Sequence, residues 1–203
     1  MILDDFSYVE RSPLTGCLDA DARILLEANG KGKTARHVRE VAETNLLIAA
    51  QYGLNPEKCR AAALLHDISA VIAPADMLAW MQSRGLPLCE AERKHPFLLH
   101  QRLSRTIAAD YFGISDDEVL SPIECHTTLK ANASPYDMAL FIADKLAWDQ
   151  EGVPPFDKAV RTALDRSLRE ACLTYMDYMV ESGRLLFPHV EWTAAYRWLK
   201  GIK

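Results

Sequence analysis

The stretch Ala61-Ala62-Ala63-Leu64-Leu65-His66-Asp67 constrains this chain more than any other. Five small or apolar residues lead a histidine and a carboxylate toward an interior. A carboxylate there is costly unless it is paired or binds a metal. Neighbours on a helix point about 100° apart, so His66 and Asp67 can share one ion only where the helix ends or along its flank. Asp67-Ile68-Ser69, with no strong helix former before Pro74, fits a helix terminus. A core histidine beside a capping aspartate would look the same, so the decision rests on what the rest of the chain supplies.

Helical spacing dominates on both sides. Residues 19–28 read as a helix with Ile24, Leu25 and Ala28 on one face and Asn29-Gly30 as its stop. Over 34–52, Val38, Val41, Ala42, Leu46, Ile48 and Ala49 recur at helical spacing, and Gly53 is placed to terminate the run. Asn55-Pro56-Glu57 supplies a cap and a first-turn proline for the helix that delivers His66. Further helices are expected over 74–85, 96–111, 134–148, 156–181 and 190–199. Another follows the Ser115-x-x-Glu118 capping box and carries His126. Residues 86–94 read as a loop or a broken turn. No window alternates in strand fashion, so the expected class is all-α, a bundle of about eight helices. A chain of 203 residues is most simply one domain. Residues 19–150 would form its core, and 151–203 would add C-terminal helices packed on it.

Net charge of −5 offers no general attraction to nucleic acid polymers or anionic membranes, so neither is expected as a partner. A nucleotide would need local cations or metal ions. No apolar run approaches the roughly 20 residues of a membrane span. Met1-Ile2-Leu3-Asp4-Asp5-Phe6 lacks the basic start and long apolar core of a signal peptide. Cys17, Cys59, Cys89, Cys125 and Cys172 are scattered without a C-x-x-C pair, as reduced thiols of a cytoplasmic protein are.

Several of the expected helices carry a histidine or aspartate among apolar neighbours: His37, His66 with Asp67, His100, His126, and Asp144 after Leu140-Phe141-Ile142-Ala143. Taken singly, each histidine is an ordinary core residue, and Asp144 has Lys145 or Arg36 as candidate partners. Taken together, imidazoles and carboxylates at the centre of a bundle are the means by which such folds build dinuclear metal sites.

This ordered set resembles the HD phosphohydrolase superfamily, and more closely the YqeK family of symmetrical diadenosine tetraphosphate hydrolases. The likeness extends to Arg-Glu-Val-Ala-Glu after His37, Tyr-Gly-Leu-Asn-Pro-Glu-Lys at 52–58, Leu-Leu-His-Asp at 64–67, His-Thr-Thr at 126–128 and Phe-Ile-Ala-Asp-Lys at 141–145. It covers roughly residues 20–180. The resemblance implies that His37, His66, Asp67 and Asp144 hold one divalent ion, with Asp67 bridging to a second held by His100 and His126. It implies iron as the metal, with Mn, Co, Ni or Zn as alternatives. It further implies attack by a metal-bridging hydroxide on the tetraphosphate, giving two ADP. Asp67 and Lys145 are the candidate catalytic residues. Lys145, Arg102, Arg105, Thr127 and Arg36 are the candidate phosphate contacts, and each is equally well a surface or helix-end residue. His95 and His189 fall outside the pattern. Trp148 and Phe156 suit either base stacking or the core. The chain departs from the family at Leu129, where glycine is usual after His-Thr-Thr, in Ala-Asp-Lys-Leu-Ala-Trp at 143–148, and in Gly-Val-Pro-Pro-Phe at 152–156. These departures bear on the substrate rather than on the ligands. Two alternatives therefore stand: an HD phosphatase for another nucleotide or small phosphoester, and a nucleotide-binding sensor without turnover. The aromatic C-terminal helix packs either on its own core or on a second subunit of a homodimer.

Overall fold

Local signals set the helix ends. Asn55 caps α3 (Pro56–Leu65), its side-chain oxygen accepting the N–H groups of Glu57 and Lys58. Gly53 ends α2 (Gly32–Tyr52) in the left-handed region at φ 65°, where a Cβ would be strained, and its N–H closes onto the Ala49 carbonyl. Ser134 and Asp137 form a reciprocal capping box at the start of α8 (Pro135–Leu146). The computed structural model describes residues 1–148, 151–185 and 187–202. Among them every regular element is a helix, so the class is all-α.

The described residues hold eleven α-helices where about eight are expected. The additions are short. Residues 86–94 contain α5 (Glu90–Lys94). The run over 96–111 divides into a 3-10 turn, Pro96–Leu99, and α6 (His100–Asp110). The run over 156–181 breaks into α9 (Asp157–Leu164) and α10 (Leu168–Glu181), because Ser167 takes extended backbone and caps α10 through Glu170 N–H. The remaining helices are α1 (Leu18–Ala28), α4 (Pro74–Ser83), α7 (Asp117–Cys125) and α11 (Val190–Lys200).

At the centre, α2, α3, α7 and α8 pack on one another. Helix α8 is apolar almost all round: Ala139, Leu140, Phe141, Ile142 and Ala143 are fully buried, as a central helix requires. Buried Asn45 donates to the Cys59 carbonyl at 2.9 Å and fixes α2 against α3. One continuous core runs from Ile2 to Leu199. Helix α11 lays Trp192, Ala195 and Leu199 into it, against α10 of the same chain. No single helix among the described residues is long and apolar enough to cross a membrane.

Candidate metal centre

Each of the six polar groups singled out in the sequence lies where the fold turns it inward. His66 is the C-terminal cap of α3, and Asp67 follows with φ −110° and ψ 18°, leading into the 3-10 turn Ile68–Val71. The helix ends at that peptide, which lets two adjacent side chains converge. His126 caps the end of α7, and His100 opens α6 directly after a 3-10 turn. His37 lies within α2, and Asp144 in the last turn of α8.

They come together as two donor sets that share one carboxylate. In the first, His37 Nε2 lies 3.0 Å from Asp144 Oδ1, and His66 Nε2 lies 3.6 Å from both Asp144 Oδ1 and Asp67 Oδ2. In the second, Asp67 Oδ1 lies 3.4 Å from His100 Nε2 and 3.3 Å from His126 Nε2. Asp67 stands between them. His37 with His66 and Asp67, and Asp67 with His100 and His126, each gather donor atoms closely enough to hold an ion.

Three of the imidazoles are oriented in the same way. The Nδ1–H groups of His66, His100 and His126 donate to the carbonyls of Ala63, Phe97 and Ile123, three residues back, at 2.7, 2.6 and 2.8 Å. That fixes the tautomer and leaves the Nε2 lone pair facing the centre, as ligating histidines require. His66 is fully buried and its Nε2 has no hydrogen-bond partner. His100 and His126 bring their Nε2 atoms within 2.9 Å, which two lone pairs tolerate only with a cation or proton between them. The residues present therefore fit a pair of metal ions. With only nitrogen and oxygen donors, they suit borderline divalent transition metals.

The charges agree. Burial would raise both carboxyls. The surrounding imidazoles instead hold Asp67 far below the usual carboxylate range, and Lys145 with His37 and His66 does the same for Asp144. Burial disfavours the His66 cation, yet Asp67 and Asp144 outweigh it and lift the ring to about 9. His126, in contrast, is held down at about 4, by burial and by the His66 and His100 rings. Without a metal, the two ionised carboxylates therefore draw a proton onto His66 Nε2 beside the Lys145 ammonium, a place that a divalent ion would take.

Lys145 Nζ sits 2.5 Å from Asp144 Oδ2 and donates to the His126 carbonyl at 3.3 Å. Two cavities meet at Lys145 and Tyr175. One, of about 310 Å³, is lined by Lys33, Thr34, His37, Asp67, Asp144 and Trp148. The other, of about 440 Å³, is largely aromatic, with Phe97, Phe187 and Trp192 around Thr127. Thr127 Oγ1 lies 3.1 Å from His100 Nε2, and buried Gln101 accepts the Thr127 N–H at 3.2 Å. Trp148 meets Phe156 edge to face, and both line the first cavity. His95 lines the aromatic cavity. Nothing in the sequence alone assigns a site role to Lys33, Thr34, Tyr175 or Gln101. Lys33 and Thr34 lie four and three residues before His37, a spacing that places them on its face of α2.

The three arginines are not brought to the cluster. Arg36 is exposed and forms no ion pair among the described residues. Arg105 pairs with Glu124 at 3.0 Å. Arg102 donates to Glu92 at 3.0 Å and to the Pro87 carbonyl at 2.9 Å, in a separate cavity. Burial pushes the Glu92 carboxyl up, but His189, the Cys89 amide and Arg102 together bring it down to about 2 from its ordinary 4.5. Its folded pKa is depressed, so its stabilisation is complete above about pH 4.5 and is lost as the pH falls toward about 2. Glu92→Gln should cost about 3 kcal/mol at neutral pH. Urea melts of the two proteins should converge on acidification, and a gap that ignores pH would refute this account.

Leu129 explains one departure from the family pattern. Its φ is +56°, in the left-handed region that glycine takes freely, and its N–H closes the end of α7 on the Cys125 carbonyl at 2.7 Å. The leucine side chain is fully buried, which offsets the strain.

The HD domain family matches residues 34–149, which include all six of these groups. A relative from Lactococcus lactis subsp. cremoris, described as an uncharacterized protein in the pepC 5' region, is 39% identical over 122 residues. That match covers 60% of this chain and 63% of the relative, so the chain matches less than two thirds of that protein's length. A protein of Bacillus subtilis (strain 168) named symmetrical bis(5'-nucleosyl)-tetraphosphatase is 22% identical, over 80% of this chain and 87% of its own. The fold is similar to a crystal structure from Clostridium acetobutylicum described as a predicted HD superfamily hydrolase involved in NAD metabolism. Their TM-score is 0.80 and their identity 26%, across 90% of this chain and 96% of that one. With its helices, its shared carboxylate and more than half of its length within the match, the chain belongs to the HD domain family.

Proposed function

We propose that the chain is a metal-dependent hydrolase of nucleotide phosphoric anhydrides and that it cleaves diadenosine tetraphosphate symmetrically to two ADP. The observation that carries this reading is Asp67 standing between two donor sets and lining one of two cavities that share Lys145, the other being aromatic. His37, His66, Asp67 and Asp144 would hold one ion, and Asp67, His100 and His126 the other. Iron is the metal we favour, on the family resemblance. When bound, such a pair supplies an acidified water and counter-charge for phosphoryl oxygens.

The chain's own residues do the positioning. Lys145, held by Asp144 at the junction of the cavities, turns its remaining N–H toward a phosphate oxygen. Lys33 contributes a second positive charge one helical turn from His37, and the Thr127 hydroxyl offers a further donor. Arg36, Arg102 and Arg105 line neither cavity and take no part. The aromatic cavity suits a base, and its walls come from both residues 19–150 and residues 151–203, so we read the whole chain as one functional unit. The tetraphosphate's central P–O–P link breaks, and the oxygen of water ends on one of the two inner phosphorus atoms.

The relatives named for this reaction in Bacillus subtilis and Halalkalibacterium halodurans, at 22% and 23% identity, support the substrate. The Clostridium acetobutylicum description favours a second reading, a different nucleotide at the same site. Chromatography of products from diadenosine tetraphosphate separates them. Two ADP is the expected result, whereas AMP with ATP rejects symmetrical cleavage. No product from this substrate, with turnover of another nucleotide, favours the second reading. Loss of activity on chelation, with restoration by Fe(II), Mn(II) or Co(II), is expected in either case.

A further inference from the structure

Apart from the two sets built on Asp67, Cys89, Glu92 and His189 are the group among the described residues that draws donor atoms to a common point. Cys89 precedes α5, Glu92 lies within it, and His189 caps α11 a hundred residues later. All three line a cavity of about 540 Å³ that includes none of the six residues described above. His189 and Glu92 are buried, and Cys89 is partly so.

His189 is the informative member. Its Nδ1 accepts the Glu191 N–H at 3.1 Å, so a neutral ring carries its proton on Nε2. That Nε2 is buried without a hydrogen-bond partner. It faces Glu92 Oε1 at 3.6 Å, beyond hydrogen-bond length. Serine or aspartate would cap the helix without stranding a ring nitrogen in the interior. Glu92, meanwhile, is already ionised and aimed: Arg102 donates to its Oε1 at 3.0 Å and the Cys89 amide to its Oε2 at 2.8 Å.

We propose that Cys89, Glu92 and His189 form a further metal site that takes a zinc-like divalent ion. Thiolate, imidazole and carboxylate are three of the ligand types zinc prefers, and the cavity leaves a fourth, open position to water. Arg102 and the Cys89 amide hold the carboxylate from behind, as outer partners of metal ligands do. On binding, the Cys89 thiol proton leaves to solvent. The ring proton of His189 moves from Nε2 to Nδ1, and the Glu191 N–H, in an exposed first turn, gives up its cap to water. A helix cap is a weak bond beside a zinc–thiolate one. The ion ties residue 89 to residue 189 and fixes the start of α11, whose His189 and Trp192 also wall the aromatic cavity. By holding the start of α11, it sets the position of that wall.

Cobalt(II) tests this in the full-length protein. A thiolate ligand produces a sulfur-to-cobalt charge-transfer absorption in the near ultraviolet, which the nitrogen and oxygen donors around Asp67 cannot produce. Wild type titrated with Co(II) should show it. Cys89→Ser should lose the absorption, together with one equivalent of bound zinc. His189→Asn keeps a good capping side chain and should weaken the thiolate-bound cobalt at least tenfold. A wild type without the absorption overturns the proposal. So does an absorption that survives Cys89→Ser or is unmoved by His189→Asn.

Discussion

Asp67→Ala should abolish turnover, with kcat falling on the order of 10³-fold or more. Its two oxygens lie within 3.6 Å of three imidazole nitrogens from three helix ends, and among the described residues no other carboxylate is shared between the donor sets. Without it, each set loses an anionic ligand and the two lose their bridge. Metals in such sites supply several kcal/mol of transition-state charge stabilisation, which corresponds to a loss of that size. Elemental analysis should show the variant binding less metal than wild type while circular dichroism shows the helices retained. A variant that hydrolyses diadenosine tetraphosphate at the normal rate would refute the assignment.

Lys145→Met should show two effects that separate cleanly. Lys145 is the ammonium beside Asp144, and Asp144 is largely buried, its side chain 15% exposed, with His37 and His66 as its other neighbours. Removing one partner of a buried pair leaves the other uncompensated, at a cost of about 3–5 kcal/mol to the metal-free protein. Bound divalent ions restore counter-charge, so metal should recover part of that stability. It should not recover the rate, which should stay lower by roughly 10²–10³-fold, the usual loss of one donor aimed at developing charge. Normal kcat in the metal-loaded variant would make Lys145 purely structural.

Much of this site is legible in the sequence, because an imidazole or carboxylate set in an apolar helical run is itself a signal. Asp144 after Leu140-Phe141-Ile142-Ala143 cannot be solvated where that helix is buried, and α8 is indeed buried almost all round. The convergence of the six groups is less legible, since it depends on how α2, α3, α6, α7 and α8 cross, and the family resemblance supplies that step. The cations were the weak point. Arg102 and Arg105, two and five residues after His100, lie about 200° and 140° round α6 from it at 100° per residue, which already turns them off its face. Lys33 and Thr34, at i−4 and i−3 from His37, satisfy the spacing rule that the arginines fail. The helix breaks leave little trace in the sequence for another reason. Ser167 ends an amphipathic run by capping rather than by any change in hydropathy, and α5 is too short to show a period.

The carbonyl tethers behind His66, His100 and His126 have a consequence for how this centre can vary. In each case the group that sets the ring's tautomer belongs to the main chain, at Ala63, Phe97 and Ile123. No side-chain exchange at those three positions removes the acceptor, so substitution there can adjust packing while the tautomer of each ring stays fixed. The direction in which these three lone pairs face is thus insulated from drift at the residues behind them and yields only to changes that displace a whole helix end.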